Sequence, residues 1–104
     1  MFGWGVKTIT TDELAAKIKA GRPVLIDVRE PFEFAAGRVP GAINIPLGQL
    51  AEGASKLKPD AETLLICASG NRSATAARML KAAGFSEAYS VKGGMRMWRG
   101  KVKR

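Results

Sequence analysis

Thr63-Leu64-Leu65-Ile66-Cys67-Ala68-Ser69-Gly70-Asn71-Arg72-Ser73 joins three patterns within a few residues. Thr63 to Ile66 is an apolar run of strand length, the pattern of a strand buried on both faces. Ser73 to Ala83 is rich in alanine and stops at Gly84, which predicts a helix. A cysteine, a glycine and an arginine lie between them. The stretch therefore reads as a strand, a loop and a helix, the first half of a parallel crossover.

Working outward, the same alternation recurs on both sides. Upstream, Thr10-Thr11-Asp12-Glu13 fits a capping box, in which the Thr10 side chain takes the Glu13 amide and Glu13 reaches back. Leu14 and Ile18 share a face of the helix that follows, and Gly21-Arg22-Pro23 stops it. Val24 to Val28 predicts a central strand. Pro31 suits the first turn of a short helix through Phe34 and Ala35, ending at Gly37. Pro40-Gly41 is a turn, and Ala42 to Ile45 a second strand closed by Pro46. Leu47, Leu50, Ala51, Ala54 and Leu57 recur at helical steps, predicting one helix although Gly48 and Gly53 each cost roughly 1 kcal/mol relative to Ala. Downstream, Ala88 to Val91 is a further strand, and Lys92-Gly93-Gly94 turns into a last helix reaching Trp98 and Arg99. Short connections between alternating strands and helices predict an α/β fold: a mainly parallel sheet of about five strands with helices on both faces.

A chain of 104 residues, 46% hydrophobic and 25% charged, is expected to form one domain over residues 1–104 around one packed core. No apolar run approaches the roughly 18 residues needed to span a bilayer, and Met1 to Lys7 lacks the apolar segment of a secretion signal. A cytoplasmic protein without membrane contact is expected. Seventeen basic against nine acidic residues give a net charge of +8, and five of the nine residues from Arg96 to Arg104 are basic. The basic tail, about residues 100–104, makes nucleic acid a candidate partner. A solvated end serving solubility is the better reading, because only Trp98 interleaves an aromatic ring with those charges.

Two absences exclude whole mechanisms. The chain has no histidine, so it offers no Cys-His or Ser-His pair, no imidazole shuttle and no His-bearing zinc site. With a single cysteine there is no internal disulfide, no Cys-x-x-Cys pair and no multi-thiolate metal site. No metal and no cofactor is expected.

Ligands of parallel sheets bind beyond the carboxyl ends of the strands, which is where Cys67 falls. A six-residue turn from Cys67 to Arg72, entering the helix at Ser73, aims successive backbone N–H groups inward at an anion. Gly70 permits the tight backbone and Ser73 caps the helix. Helix N-termini and nearby arginines lower a cysteine pKa from about 8.5 to about 3.5–7.5, so this cradle replaces the missing histidine. A lone cysteine is ordinarily a small buried hydrophobe; its place at a strand end before a glycine loop makes it the candidate nucleophile.

Four blocks in order resemble the rhodanese family, over about Thr8 to Arg99. Leu25 to Phe34 is similar to that family's first motif, Gly37 to Pro46 to its second, Cys67 to Arg72 to its catalytic loop, and Gly93-Gly94 with Trp98 to its closing motif. The resemblance implies a sulfurtransferase of the thiosulfate:cyanide class. Cys67 would take a sulfane sulfur from a donor such as thiosulfate, release sulfite, and pass the sulfur to a thiol, cyanide or a protein acceptor. Substrate and persulfide would be held by the amides of Ala68, Ser69, Gly70, Asn71, Arg72 and Ser73.

Two departures qualify the transfer. Many relatives carry a basic residue after the cysteine where this chain has Ala68, which weakens the case for a dianionic donor; Arg72 and the positive field compensate in part. The place of Arg38 is often His. Asp27 and Arg29 read as residues that pair with neighbours to hold loops in place, and Phe32, Phe34 and Trp98 as core or pocket wall. The rival enzyme is a cysteine-dependent phosphatase or arsenate reductase, whose signature sets five residues between Cys and Arg; here only Ala68 to Asn71 intervene. The rival outside catalysis is an interaction or sulfur-carrier module without turnover of its own.

Overall fold

The computed structural model describes residues 6–104; residues 1–5, most of the stretch judged above for a secretion signal, lie outside the described residues. The strands are β1 (Lys7–Ile9), β2 (Val24–Asp27), β3 (Ile43–Asn44), β4 (Thr63–Ile66) and β5 (Ala88–Val91). Between them run the helices α1 (Thr11–Ala20), α2 (Pro31–Ala36), α3 (Leu50–Gly53) and α4 (Asn71–Ala82), with α5 (Gly94–Met97) last. The strands form one sheet in the order β1-β5-β4-β2-β3, and every pairing is parallel. β4 lies at the centre, with Leu65 beside Ile26 on one flank and Ser90 on the other.

Alternation along the central strand divides the core. Leu65 and Cys67 face one side, with Ile26, Val28, Leu50, Ala76, Ala77 and Leu80. Leu64 and Ile66 face the other, with Ile9, Leu14, Leu25 and Val91. Thus α3 and α4 cover the first face, while α1 and the segment around Met95 and Trp98 cover the second. Each fully buried Leu or Ile stabilises the fold by about 1.5–3 kcal/mol relative to exposure, so a sheet needs both layers. No helix among the described residues is long and apolar enough to cross a membrane.

Local signals hold where they are strongest. The capping box closes as predicted, with Glu13 N–H donating to Thr10 Oγ1 at 3.0 Å and Thr10 N–H to Glu13 Oε1 at 2.8 Å. Three readings change. The helix expected over 47–57 is broken into 3-10 turns at 47–49 and 54–56 around one turn of α3. Gln49 leaves the helical region at φ −112°, ψ 3°, and its N–H closes on Pro46 O, three residues back; a segment with two glycines lacks the propensity to resist this. α4 begins at Asn71, not Ser73, because Gly70 takes the cap at φ +105°. Ser73 is consequently not the cap; its hydroxyl lies inside the first turn. Phe32 is not core: it is 75% exposed on α2, a helix with no buried residue.

The basic end is also more than a solvated tail. Arg38 and Lys103 form an antiparallel bridge with both N–H···O bonds, 2.9 and 2.8 Å. Trp98 Nε1 donates to Lys101 O at 2.8 Å. Exposed as they are, these residues are strapped across the segment that follows α2.

Candidate active site

Because β4 delivers Cys67 to the α4 side of the sheet, the residue is covered by that helix and is 1% exposed. The chain then turns sharply. A Cβ at Gly70 would stand 3.2 Å from Gly93 N on a backbone with positive φ, so both conformation and space require glycine. The turn aims two amides at the sulfur: Gly70 N–H at 3.1 Å and Ser73 N–H, in the first turn of α4, at 3.3 Å. The Ser73 hydroxyl lies 3.5 Å from Sγ.

Two opposed effects set the thiol's acidity. Burial pushes it up; the Ser73 hydroxyl and the amides of Ser73, Gly70 and Ser69 pull it down, and the balance falls below the ordinary thiol value. Donors fixed by a turn and a helix end need no reorganisation when charge appears at sulfur. The geometry can therefore hold a thiolate, or the anion of a sulfur attached to it, with no imidazole.

The loop is clamped from behind by α5. Met95 N–H donates to Cys67 O at 2.8 Å and Arg96 N–H to Ala68 O at 3.0 Å. Gly94 makes this approach feasible: a Cβ there would run into Cys67 O and lie 2.8 Å from the Ala68 carbonyl group. The Gly93-Gly94 pair after a strand was the sequence signal for this contact.

The six residues read as the binding loop divide into three groups. Gly70 and Ser73 touch the sulfur, and Ser69 acts on its charge through its amide. Ala68 is held by α5. Asn71 is exposed in the first turn of α4, its carbonyl accepting from Thr75. Arg72 departs most from expectation. Its fork is engaged with Glu33 of α2, Nη1 to Oε1 at 2.7 Å and Nη2 to Oε2 at 3.0 Å. Arg72 in turn holds the Glu33 carboxyl down to about 2. Compensation for the neutral Ala68 is accordingly smaller than the sequence suggests. Glu33 itself was not foreseen, and neither was Ser90, whose hydroxyl lies 2.7 Å from that of Ser73.

A model of the rhodanese-like domain family matches residues 10–101. This chain belongs to the rhodanese family. Thiosulfate sulfurtransferase GlpE of Pseudomonas entomophila is 38% identical to this chain over 87 residues, covering 84% of this chain and 80% of that protein. The YqhL protein of Bacillus subtilis is 42% identical over 98 residues, 94% of this chain and 76% of YqhL. Among solved structures, a rhodanese-like domain protein from Staphylococcus aureus superposes with a TM-score of 0.86 at 35% identity, covering 94% of this chain and 97% of that one.

Asp27, Arg29 and Asn44 hold loops beside the site. Asp27, fully buried, accepts from Arg29 N, Nε and Nη2 at 2.8–3.1 Å, and Arg29 Nη2 also donates to Gly37 O at 2.7 Å. Asn44 Nδ2 ties the carbonyls of Asp27 and Arg29 at 2.9 Å each. The loop-holding role is thus as read, and each residue's partner is the other. Arg38 packs its guanidinium 4.9 Å from the Phe34 ring centroid, and Trp98 packs on the α1 side of the sheet.

Proposed function

We propose that the protein is a sulfurtransferase carrying a transferable sulfur on Cys67 as a persulfide. One observation carries the reading: a lone, buried Sγ held by the Gly70 and Ser73 amides at 3.1 and 3.3 Å in a chain without histidine. In the first step the thiolate attacks the outer sulfur of a donor. With thiosulfate the Sγ–S bond forms, the S–S bond breaks, and the electron pair leaves with sulfite. In the second step a thiolate or cyanide attacks the terminal sulfur, and the pair returns to Cys67.

The binding loop is Ala68 to Ser73, with charge held chiefly by the amides of Ser69, Gly70 and Ser73. Ala68 and the engagement of Arg72 by Glu33 disfavour a small dianion, so a persulfide donor fits this site better than thiosulfate. One domain acts in a reducing cytoplasm, where the thiol stays free. A phosphatase needs a longer cradle than the four residues between Cys67 and Arg72.

Intact-protein mass spectrometry after incubation with a sulfane donor tests this. One added sulfur, absent in Cys67→Ser and removed by cyanide or a small thiol, is expected. No adduct with thiosulfate or glutathione persulfide, together with Cys67-dependent hydrolysis of an aryl phosphate, would replace sulfur transfer by phosphatase chemistry.

A further inference from the structure

Behind Cys67 the Ser73 hydroxyl meets a second one, on Ser90, that the two transfer steps do not use. Ser73 is fully buried and Ser90, on β5, is 2% exposed. Sheet pairing explains how they meet. Leu65 and Ser90 are neighbours across β4 and β5, and Ser90 follows Ala88 by two residues, on the face that α4 covers. Ser73 sits in the first turn of α4, above that face.

Three groups surround Ser73 Oγ: Ser90 Oγ at 2.7 Å, Gly70 O at 3.1 Å and Cys67 Sγ at 3.5 Å. A hydroxyl has one proton to give and two acceptor sites. Gly70 O can only accept, and so can a thiolate. The single Ser73 proton therefore serves one of them at a time. When Cys67 is a thiol, S–H donates to Ser73, whose proton goes to Gly70 O. When it is a thiolate, the Ser73 proton turns to sulfur. With the Ser73 proton committed to Gly70 O or to sulfur, the 2.7 Å contact can only be donated by Ser90, whose one side-chain hydrogen-bond partner among the described residues is Ser73.

We propose that Ser90 is a positioning residue for the Cys67 thiolate: it fixes and polarises the Ser73 hydroxyl so that its proton is free to turn from Gly70 O to sulfur. The physical basis is cooperative strengthening, since a hydroxyl that accepts one hydrogen bond donates a stronger one. The gain is greater for the charged than for the neutral sulfur. Without the Ser90 hydroxyl, Ser73 keeps a buried lone pair unmet and donates more weakly. This inference rests on the reading of Cys67 as a reactive thiolate.

The charged surroundings do not change in the test. Arg72 interacts electrostatically with the Cys67 sulfur; its partner Glu33 on α2 and the Asp27–Arg29 pair at the end of β2 remain in every variant, and Ser90 is uncharged. Because Cys67 is the only cysteine, ultraviolet thiolate absorbance titrated against pH, with Cys67→Ser as the blank, reads one site. Ser90→Ala should raise the midpoint by about half to one pH unit, which is about 3- to 10-fold less thiolate below it. Ser90→Thr, which keeps the hydroxyl, should restore the wild-type midpoint. An unmoved midpoint in Ser90→Ala with native circular dichroism overturns the proposal, and so does an equal shift in Ser90→Thr, which would trace the effect to packing. A wild-type midpoint at or above the ordinary thiol value would instead sink the parent reading of Cys67.

Discussion

Two arginines flank the candidate site, and each is held by one carboxylate in a different way. Arg29 and Asp27 are buried, with side chains 8% and 0% exposed, and their bonds also reach Gly37 O and the Arg29 amide. Arg72 and Glu33 form a comparably short pair at 2.7 Å, yet their side chains are 35% and 23% exposed. The first pair joins the end of β2 to the segment after α2, and its loss leaves charge in a low dielectric. The second pair bridges α2 to the helix that cradles Cys67, where water can replace a lost partner. Similar distance thus accompanies different consequence: one pair is scaffold, the other an adjustable charge beside the sulfur.

The largest effect should come from the buried pair. Asp27→Ala is expected to lower unfolding free energy by about 3–5 kcal/mol, because it strands a buried guanidinium. Glu33→Gln should cost no more than about 1 kcal/mol, as partly exposed pairs do. Urea denaturation of the two variants checks the contrast. Equal losses would break it.

How legible this contrast was follows from the distance along the chain. Asp27 and Arg29 are two residues apart at a strand end, and their loop-holding role, though not that each is the other's partner, could be read directly. The same holds for the Thr10–Glu13 box and for β4 running into Cys67, where pattern and neighbour coincide. Glu33 and Arg72 are 39 residues apart, and Ser73 and Ser90 are 17 apart. These meet only through sheet order and helix placement, which no local pattern encodes. β1 was missed for another reason: three residues at a sheet edge, two of them exposed, carry too little hydrophobic signal. The cap of α4 was misplaced because serine is a good capping residue, whereas Gly70 won through a backbone conformation that its packing against Gly93 requires.

The second effect is on function. With Glu33→Gln, Arg72 presents an uncompensated charge near Cys67, and kcat/KM for thiosulfate should rise by about 3- to 10-fold at low salt. The gain should shrink as salt is added, since exposed charges are screened over about 10 Å at 0.1 M. Steady-state assays at two ionic strengths measure this. An unchanged kcat/KM at low salt would mean that Arg72 does not act on the donor.

A smaller effect is set by pH. Glu33 is held down to about 2 in the fold, chiefly by Arg72, against an ordinary value of 4.5. A depressed carboxyl stabilises the fold fully above its unfolded value, and the contribution is lost as pH falls from about 4.5 towards about 2. Screening limits the amount to about 1 kcal/mol. Wild type and Glu33→Gln should therefore differ by that amount at neutral pH and converge on acidification. A gap that stays constant to about pH 3 would assign the loss to packing instead of charge.

The smallest effect belongs to the tail, and it separates the two pairs once more. Truncation after Gly100 removes both Arg38–Lys103 hydrogen bonds and the Lys101 acceptor of Trp98. Exposed backbone bonds contribute little, so the expected loss is about 1 kcal/mol, with transfer to cyanide unchanged. The strap attaches at Arg38, next to the Gly37 carbonyl that accepts from Arg29, and so it braces the buried pair. Removing the tail in an Arg29→Lys background should then cost less than in wild type, by at least about 0.5 kcal/mol, because that carbonyl is no longer held from the other side. In a Glu33→Gln background the two losses should simply add. Additivity in both backgrounds would detach the tail from the scaffold, leaving it an exposed end that happens to pair.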